Sequence, residues 1–264
     1  PKNDRLTRTV LSMADEVWAV SHYTANQHTN AGVPANRVQL LPNLVRRPAM
    51  GTEAGCPAWR TRLEIDAHAP LLVCVGRLSP NKGQDIAIRA LAQTRNRHAH
   101  LVLAGDDRVA DGNSGYRAHL AALAIKCGVA DRVHLVGHVS NGAALLAEAD
   151  LALVPSDDES FCLVAAEAIM AGVPTLASHR SALVEVVTTT AGLPTVERTP
   201  QAFAAAIDAH LSGELAGDVQ LAGQRLEAAY GASRFEKRLL ELITGLVPQT
   251  HSTLSTPIEA FRHV

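Results

Sequence analysis

The sequence predicts a doubly wound α/β fold, in which helices cover both faces of a parallel β-sheet. Short runs such as 71–75 (LLVCV) and 151–154 (LALV) are apolar at every position and do not alternate with polar residues. Strands of this kind are buried on both faces, as they are in parallel sheets. Ala- and Leu-rich segments of helical period separate the runs, which predicts strand–helix–strand units with right-handed crossovers.

These two patterns predict the elements in order. Strands rich in apolar and β-branched residues are expected at 17–20, 37–41, 71–75, 100–104, 132–136, 151–154 and 174–177. Helices are expected between them at 22–31, 84–95, 116–127, 140–149, 161–171 and 181–187, and then at 200–211, 216–229 and 233–246. The alternation beyond residue 61 is typical of a Rossmann-like domain.

A break in the periodicity divides the chain. Residues 44–60 (LVRRPAMGTEAGCPAWR) combine proline, glycine and charge, which is typical of a linker. Residues 1–43 are too few to fold alone, and we interpret them as the end of one domain. Residues 61–247 are then a whole domain, and 248–264 a tail with a short helix at 257–263. Because the chain starts at Pro1 and not at Met, we expect a fragment or a trimmed product.

Composition excludes several classes of function. The formal net charge is −2, which gives no broad nucleic-acid footprint. The twelve histidines show no metal-ligand spacing, so we expect no metal site. The four cysteines have no paired spacing and no apolar run is long enough to span a bilayer. We therefore expect a soluble cytoplasmic protein with reduced thiols.

The loop at 75–83 (VGRLSPNKG) follows a predicted strand and enters a helix. Gly76 permits a tight exit from the strand, and Arg77 and Lys82 place two cations near the N-terminus of the helix. Cations oppose the positive end of the helix dipole, so the arrangement favours an anion at the same place. A solvated loop with surface charges is the alternative.

A second loop, 155–161 (PSDDESF), also follows a predicted strand, and we expect Ser160 to cap the helix at 161–171. Helix capping accounts for the acidic run, but it does not account for Glu167, two turns inside an apolar helix. A buried carboxylate needs a partner, and neither Glu159 nor Glu167 has a Lys or Arg within the stretch between them. An acid near the ligand end of a parallel sheet is suited to binding hydroxyl groups.

The two loops carry a family resemblance. The segments 75–91 (VGRLSPNKGQDIAIRAL), 132–140 (RVHLVGHVS) and 149–178 (ADLALVPSDDESFCLVAAEAIMAGVPTLAS) resemble the donor-binding half of retaining glycosyltransferases of family 4 (group 1), which have the GT-B fold. Residues 14–45 (ADEVWAVSHYTANQHTNAGVPANRVQLLPNLV) resemble the exit from the acceptor-side domain of that family. The most specific element is the acid pair of the form E-x7-E, Glu159 to Glu167.

The resemblance implies a role for each site residue. Glu167 would accept hydrogen bonds from the ribose, Glu159 would face hydroxyls of the donor sugar, and Arg77 and Lys82 would hold the diphosphate. Ligand hydroxyls would then satisfy the two acids without a salt bridge. Glu159, Arg77 and Lys82 are the catalytic candidates, and the base would meet the loop 137–140. The donor-binding candidates are Gly76, Arg77, Lys82, Val139, Glu159, Ser160, Phe161, Cys162, Leu163 and Glu167.

The chain departs from the family at two places. Ser160 and Cys162 stand where many members have glycines around the phenylalanine, and 178–187 (SHRSALVEVV) keeps Glu185 but not the preceding glycines.

The function implied is transfer of a sugar from a nucleotide sugar, such as a UDP- or GDP-hexose, with retention of configuration. The acceptor could be a glycan, a lipid-linked or a small molecule, and neither a cofactor nor a metal is expected. We expect the chain to supply mainly donor binding and to be incomplete as an enzyme by itself. A nucleotide-sugar epimerase of the same fold and a non-catalytic nucleotide-binding module remain alternatives. Basic residues such as Arg46 and Arg47 leave open a peripheral contact with the inner membrane face, although a solvated face explains them better.

Overall fold

The computed structural model describes residues 9–11, 13–48, 58–107, 115–215 and 217–246. Most of the predicted linker, the predicted tail and its helix at 257–263 lie outside these ranges. In the described part, no helix is both long and apolar enough to cross a membrane.

A six-stranded parallel sheet forms the centre of the molecule. Its strands are β3 (Leu71–Val75), β4 (His100–Ala104), β5 (Val133–Gly137), β6 (Leu151–Val154), β7 (Thr175–Ser178) and β8 (Thr195–Val196). Their spatial order is β5–β4–β3–β6–β7–β8. The chain therefore adds β4 and β5 on one side of β3. It then crosses back and adds β6, β7 and β8 on the other side. The carboxyl ends of the neighbouring strands β3 and β6 mark the topological switch point, where parallel α/β sheets bind ligands.

A smaller parallel pair, β1 (Val17–Ala19) and β2 (Val38–Leu40), is connected by helix α1 (His22–Asn30). Further α-helices in the described ranges are α2 (Trp59–Arg62), α3 (Gln84–Gln93), α4 (Tyr116–Lys126), α5 (Gly142–Ala147), α6 (Leu163–Met170), α7 (Ser181–Leu183), α8 (Pro200–Leu211), α9 (Val219–Tyr230) and α10 (Ala232–Leu246). Helix α7 continues as a π-helical stretch, Val184–Thr190.

Alternate residues of the central strands pack into opposite layers. On β3, Leu72 and Cys74 join a core with α3, α4 and α8, whereas Leu71 and Val73 join a core with α2 and α5. Both sets are almost fully buried. The continuous apolar runs in the sequence reflect this burial on both faces, and the predicted doubly wound Rossmann-like sheet is confirmed.

The predicted strands and helices differ from the observed ones mainly at their ends. Strand β8 was not predicted, because Thr195 and Val196 form a two-residue strand without an apolar run. Helix α6 begins at Leu163, two residues after the predicted start.

The β1–α1–β2 unit contacts the main domain at several points. The side chain of Arg238 on α10 donates to the carbonyl oxygen of Leu40 at 2.9 Å. Val45, just after β2, is buried against Phe161 and Tyr230, and its backbone N–H donates to the Tyr230 carbonyl. These contacts place the first unit beside the loop that follows β6. The domain boundaries read from the sequence stay a prediction.

Candidate functional site

The two loops singled out in the sequence meet at the switch point. The backbone N–H of Asp157 donates to the carbonyl of Asn81 at 2.8 Å, and the Asn81 side chain donates to the carbonyl of Asp158 at 2.9 Å. Gly83 has a φ of +70°, and a Cβ atom there would lie 2.2 Å from the carbonyl oxygen of Pro155. Glycine is therefore required for the two loops to approach this closely.

Arg198 connects the same two loops through its side chain. Its side chain donates to the carbonyl of Pro155 at 2.9 Å and to the carbonyl of Pro80 at 3.2 Å. Sequence reasoning missed this residue, because it lies after β8, far along the chain from both loops. No local pattern signals such a contact.

A cleft of about 530 Å³ opens above the carboxyl ends of β3 and β4. Its walls come from three loops and include Gly76, Arg77, Lys82, His138 and Val139, together with Val75, Ala104, Gly105 and Asp106. Four predicted site residues, Gly76, Arg77, Lys82 and Val139, are thus brought together here. Two cations lining one open cleft make it suited to an anion.

Lys82 forms an ion pair with Glu159, and its Nζ lies 2.5 Å from Oε1. The side chains are 23% and 11% exposed, respectively. The expectation that the acids need no salt bridge is wrong for Glu159. The cation was not apparent within the stretch from Glu159 to Glu167 because it comes from the other loop. The Glu159 backbone is also held, since its N–H donates to Oγ of Ser181 at 2.9 Å.

Glu167 lines a second cleft of about 410 Å³. Val75 lines both clefts, so the two adjoin across the end of β3. The second cleft also includes Ser140, Asn141, Arg46 and Arg47. Within the described ranges, the Glu167 carboxylate has neither a hydrogen bond nor an ion pair, and burial raises its pKa above the usual value for glutamate. A half-buried acid without a partner beside an open cleft is suited to accept hydrogen bonds from a ligand.

The start of α6 differs from the prediction, which made Ser160 the N-cap. The N-cap is Cys162, which adopts a left-handed conformation with a φ of +75° and makes no side-chain capping bond. Burial raises the pKa of its thiol to about 12, so the group stays protonated at neutral pH. Left-handed geometry favours glycine, which agrees with the glycines that many members of the resembling family carry here.

The backbone N–H groups of Phe161, Cys162 and Leu163 find no acceptor among the residues that the structure describes. Phe161 is only 1% exposed, and a buried backbone donor without a partner is rare in folded proteins. Together with the end of the α6 dipole, these donors are suited to bind acceptor oxygens of a ligand. By contrast, the described side chains include no group of three His, Cys, Asp or Glu that could hold a metal ion.

Comparison with known families agrees with this geometry. The family model of glycosyl transferases group 1 matches residues 57–225, more than half of the chain. The chain belongs to this family. The match includes both loops, both acids and Arg198.

Two curated relatives illustrate the range within group 1. A GDP-mannose-dependent α-(1-6)-phosphatidylinositol monomannoside mannosyltransferase of Mycobacterium tuberculosis is 33% identical over 187 residues, covering 66% of this chain and 46% of that protein. A D-inositol 3-phosphate glycosyltransferase of Thermobispora bispora is 29% identical over 261 residues, covering 95% of this chain and 58% of that protein. The chain spans about half the length of the curated relatives that it matches.

Solved structures share the fold. Anabaena HepE in complex with UDP and glucose superposes with a TM-score of 0.82 at 22% identity, over 92% of this chain and 66% of that one. Sucrose-phosphate synthase of Thermosynechococcus elongatus has a TM-score of 0.77 at 24% identity, over 91% of this chain and 60% of that one. The predicted fold, a Rossmann-like parallel sheet of a GT-B group 1 protein, is confirmed.

Proposed function

We propose that the two adjoining clefts bind a nucleotide sugar, and that the protein containing this chain transfers the sugar to an acceptor with retention of configuration. The observation that carries the proposal is that Arg77 and Lys82 line one cleft at the switch point, beside the loop that carries Glu159. These groups can neutralise a diphosphate, which is both the anchor of the donor and the leaving group of the transfer. Retention rests on the resemblance to family 4.

The neighbouring groups fit the remaining parts of such a donor. Glu167 would accept hydrogen bonds from the ribose hydroxyls in the second cleft, which adjoins the cationic cleft at Val75. The base would then meet the loop after β5, where Val139 and Ser140 line the two clefts. Glu159 would face the sugar hydroxyls.

The ion pair between Lys82 and Glu159 suggests how the ligand-free site is kept satisfied. A diphosphate that binds Lys82 replaces the carboxylate as the partner of the ammonium group. Glu159 is then left to accept hydrogen bonds from the sugar. Both charges keep a partner in each state, which avoids the cost of a poorly solvated single charge.

The names of the relatives bear on substrate class. A GDP-mannose-dependent mannosyltransferase and glycosyltransferases of inositol phosphate favour a transferase over the epimerase and the non-catalytic module considered above. A GDP- or UDP-hexose remains the proposed donor, and the acceptor remains open between glycan, lipid-linked and small molecules. A cytoplasmic location and a peripheral contact with the membrane, both expected from the sequence, remain proposals.

Glu167→Gln tests the ribose role. We expect affinity for UDP or GDP to fall about tenfold, while affinity for pyrophosphate changes less than about twofold, because an amide replaces only part of the acceptor capacity of a carboxylate. Titration calorimetry measures both ligands, with the exposed Glu236→Gln as the control. Equal weakening of nucleotide and pyrophosphate would refute a ribose contact.

The same variant has an expected effect on stability. Folding raises the pKa of Glu167, so the ionised carboxylate destabilises the folded protein above the unfolded pKa, and this cost disappears as the pH falls below it. Glu167→Gln is therefore expected to raise Tm by roughly 1–2 °C at pH 7 and by nothing at pH 4 or below. Scanning calorimetry at both pH values checks the sign.

A further inference from the structure

The first unit of the chain contacts the loop that carries Glu159. The Oγ of Ser21 donates to the carbonyl oxygen of Ser160 at 2.6 Å, and Ser21 has no exposed surface. The hydroxyl of Tyr23 donates to Oδ1 of Asp158 at 2.9 Å. Two consecutive parts of the loop after β6 are thus bound by side chains from the start of α1.

The proton of the Ser21 hydroxyl is committed to this contact. The Ser21 Oγ accepts from the Thr24 N–H at 3.0 Å, while the Thr24 hydroxyl donates to the Ser21 carbonyl at 3.0 Å. Each hydroxyl has a single proton, and the acceptor nearest to the Ser21 Oγ is the carbonyl oxygen of Ser160 at 2.6 Å, whereas the Thr24 Oγ1 lies at 3.1 Å. The capping box of α1 therefore holds Ser21 in the orientation that reaches the loop.

Holding the Ser160 carbonyl also orients the next backbone donor. A peptide unit is planar, and none of the described peptide bonds is cis. In a trans unit the C=O and N–H groups point in opposite directions, so the N–H of Phe161 points away from Ser21. That N–H is among the three donors that find no acceptor within the described residues, and it follows Glu159, the residue proposed to face the sugar. A hydrogen bond to the carbonyl also polarises the unit and strengthens the N–H as a donor.

We propose that Ser21 is a positioning residue for the sugar side of the donor site, acting through the Ser160–Phe161 peptide. The inference rests on the proposed function. It means that α1, which the sequence resemblance assigns to the acceptor side, completes the geometry of the donor loop. Glu185 supports the same junction, because its carboxylate accepts the His22 N–H at 2.8 Å and lies 2.9 Å from Nδ1 of His22.

The signature of this role is a difference between two ligands. The Ser160–Phe161 peptide lies next to Glu159, whereas Arg77 and Lys82 hold the diphosphate. Ser21→Ala is therefore expected to weaken binding of UDP-glucose or GDP-mannose, whichever the wild type binds, by about fivefold. Binding of the matching UDP or GDP is expected to change less than about twofold.

Thr24→Val is the matched control. It removes the bonds of the Thr24 side chain to the Ser21 backbone, but it leaves the bonds of the Ser21 Oγ to the Thr24 N–H and to the Ser160 carbonyl in place. Both variants should lose similar stability, and only Ser21→Ala should change the ratio of the two affinities. Hydrogen exchange of residues 158–162 provides a readout without ligand, and faster exchange is expected in Ser21→Ala alone.

The outcomes separate the inference from the function on which it rests. If the wild type binds both ligands and Ser21→Ala weakens them equally, or changes neither affinity nor exchange, the positioning role is overturned and the donor site stands. If the two variants behave alike, the effect belongs to the capping of α1 and the inference also fails. If the wild type binds none of the four ligands, the proposed function itself is overturned.

Discussion

The double variant Arg77→Ala, Lys82→Ala is expected to lose about 100-fold or more in affinity for UDP or GDP. Each side chain lines the cationic cleft, and a charge-assisted hydrogen bond to phosphate contributes about 1.5–3 kcal/mol. Two such bonds correspond to about two to four powers of ten, although neighbouring groups are not additive. In addition, Glu159 loses its cation, so an uncompensated carboxylate then repels the diphosphate.

Titration calorimetry with wild type, both single variants and the double variant measures this loss. Arg89→Ala is the control, since Arg89 is exposed on α3, the helix that follows the loop. Far-UV circular dichroism should show an intact fold in all variants, because Arg77 lies on a loop and Lys82 ends the single 3-10 turn Pro80–Lys82. Equal affinity of wild type and double variant would show that the diphosphate does not bind here.

Gly83→Ala is expected to have the largest effect on stability. The new Cβ would lie 2.2 Å from the carbonyl oxygen of Pro155, and that atom belongs to backbone rather than to a flexible side chain. The two loops must separate, which costs about 2–4 kcal/mol and lowers Tm by roughly 5–15 °C. Since both loops supply the candidate site, affinity for UDP or GDP is expected to fall as well.

Gly128→Ala is the control that separates backbone strain from the contact with Pro155. Gly128 has a φ of +69°, close to the +70° of Gly83, but a Cβ atom there would meet nothing within 4 Å. The free energy of unfolding should therefore fall only by the cost of an alanine in the left-handed conformation, about 1 kcal/mol. Thermal unfolding of the two variants under one condition gives the comparison. Similar Tm values for both would mean that the contact with Pro155 does not constrain the loops.

The central sheet could be predicted because burial on both faces leaves a local trace in the sequence. Each residue of β3 faces one of two apolar layers, so LLVCV contains no polar position. Strand β8 leaves no such trace, since it comprises only Thr195 and Val196, and both are half-buried. The spatial order of the strands is likewise set by packing between distant segments.

The candidate site likewise has features that the sequence reveals and features that it does not. Glu159, Glu167, Arg77 and Lys82 could be selected from the sequence because their charges stand out in apolar or glycine-rich surroundings. Their pairing could not, since Lys82 reaches Glu159 only where β3 and β6 lie side by side. The same holds for Arg198 and Ser21, whose side chains bind backbone carbonyls far along the chain. A carbonyl acceptor exists at every residue, so no residue type marks such a contact.

The most direct test of the central claim is a calorimetric titration of the wild-type chain with UDP, GDP and ADP. The claim is that the cationic cleft and the Glu167 cleft together bind a nucleoside diphosphate. We expect UDP or GDP to bind with one molecule per chain and a Kd below about 1 mM, corresponding to about −4 kcal/mol. The absence of binding by all three nucleotides would contradict the donor site and leave the two clefts without the function proposed for them.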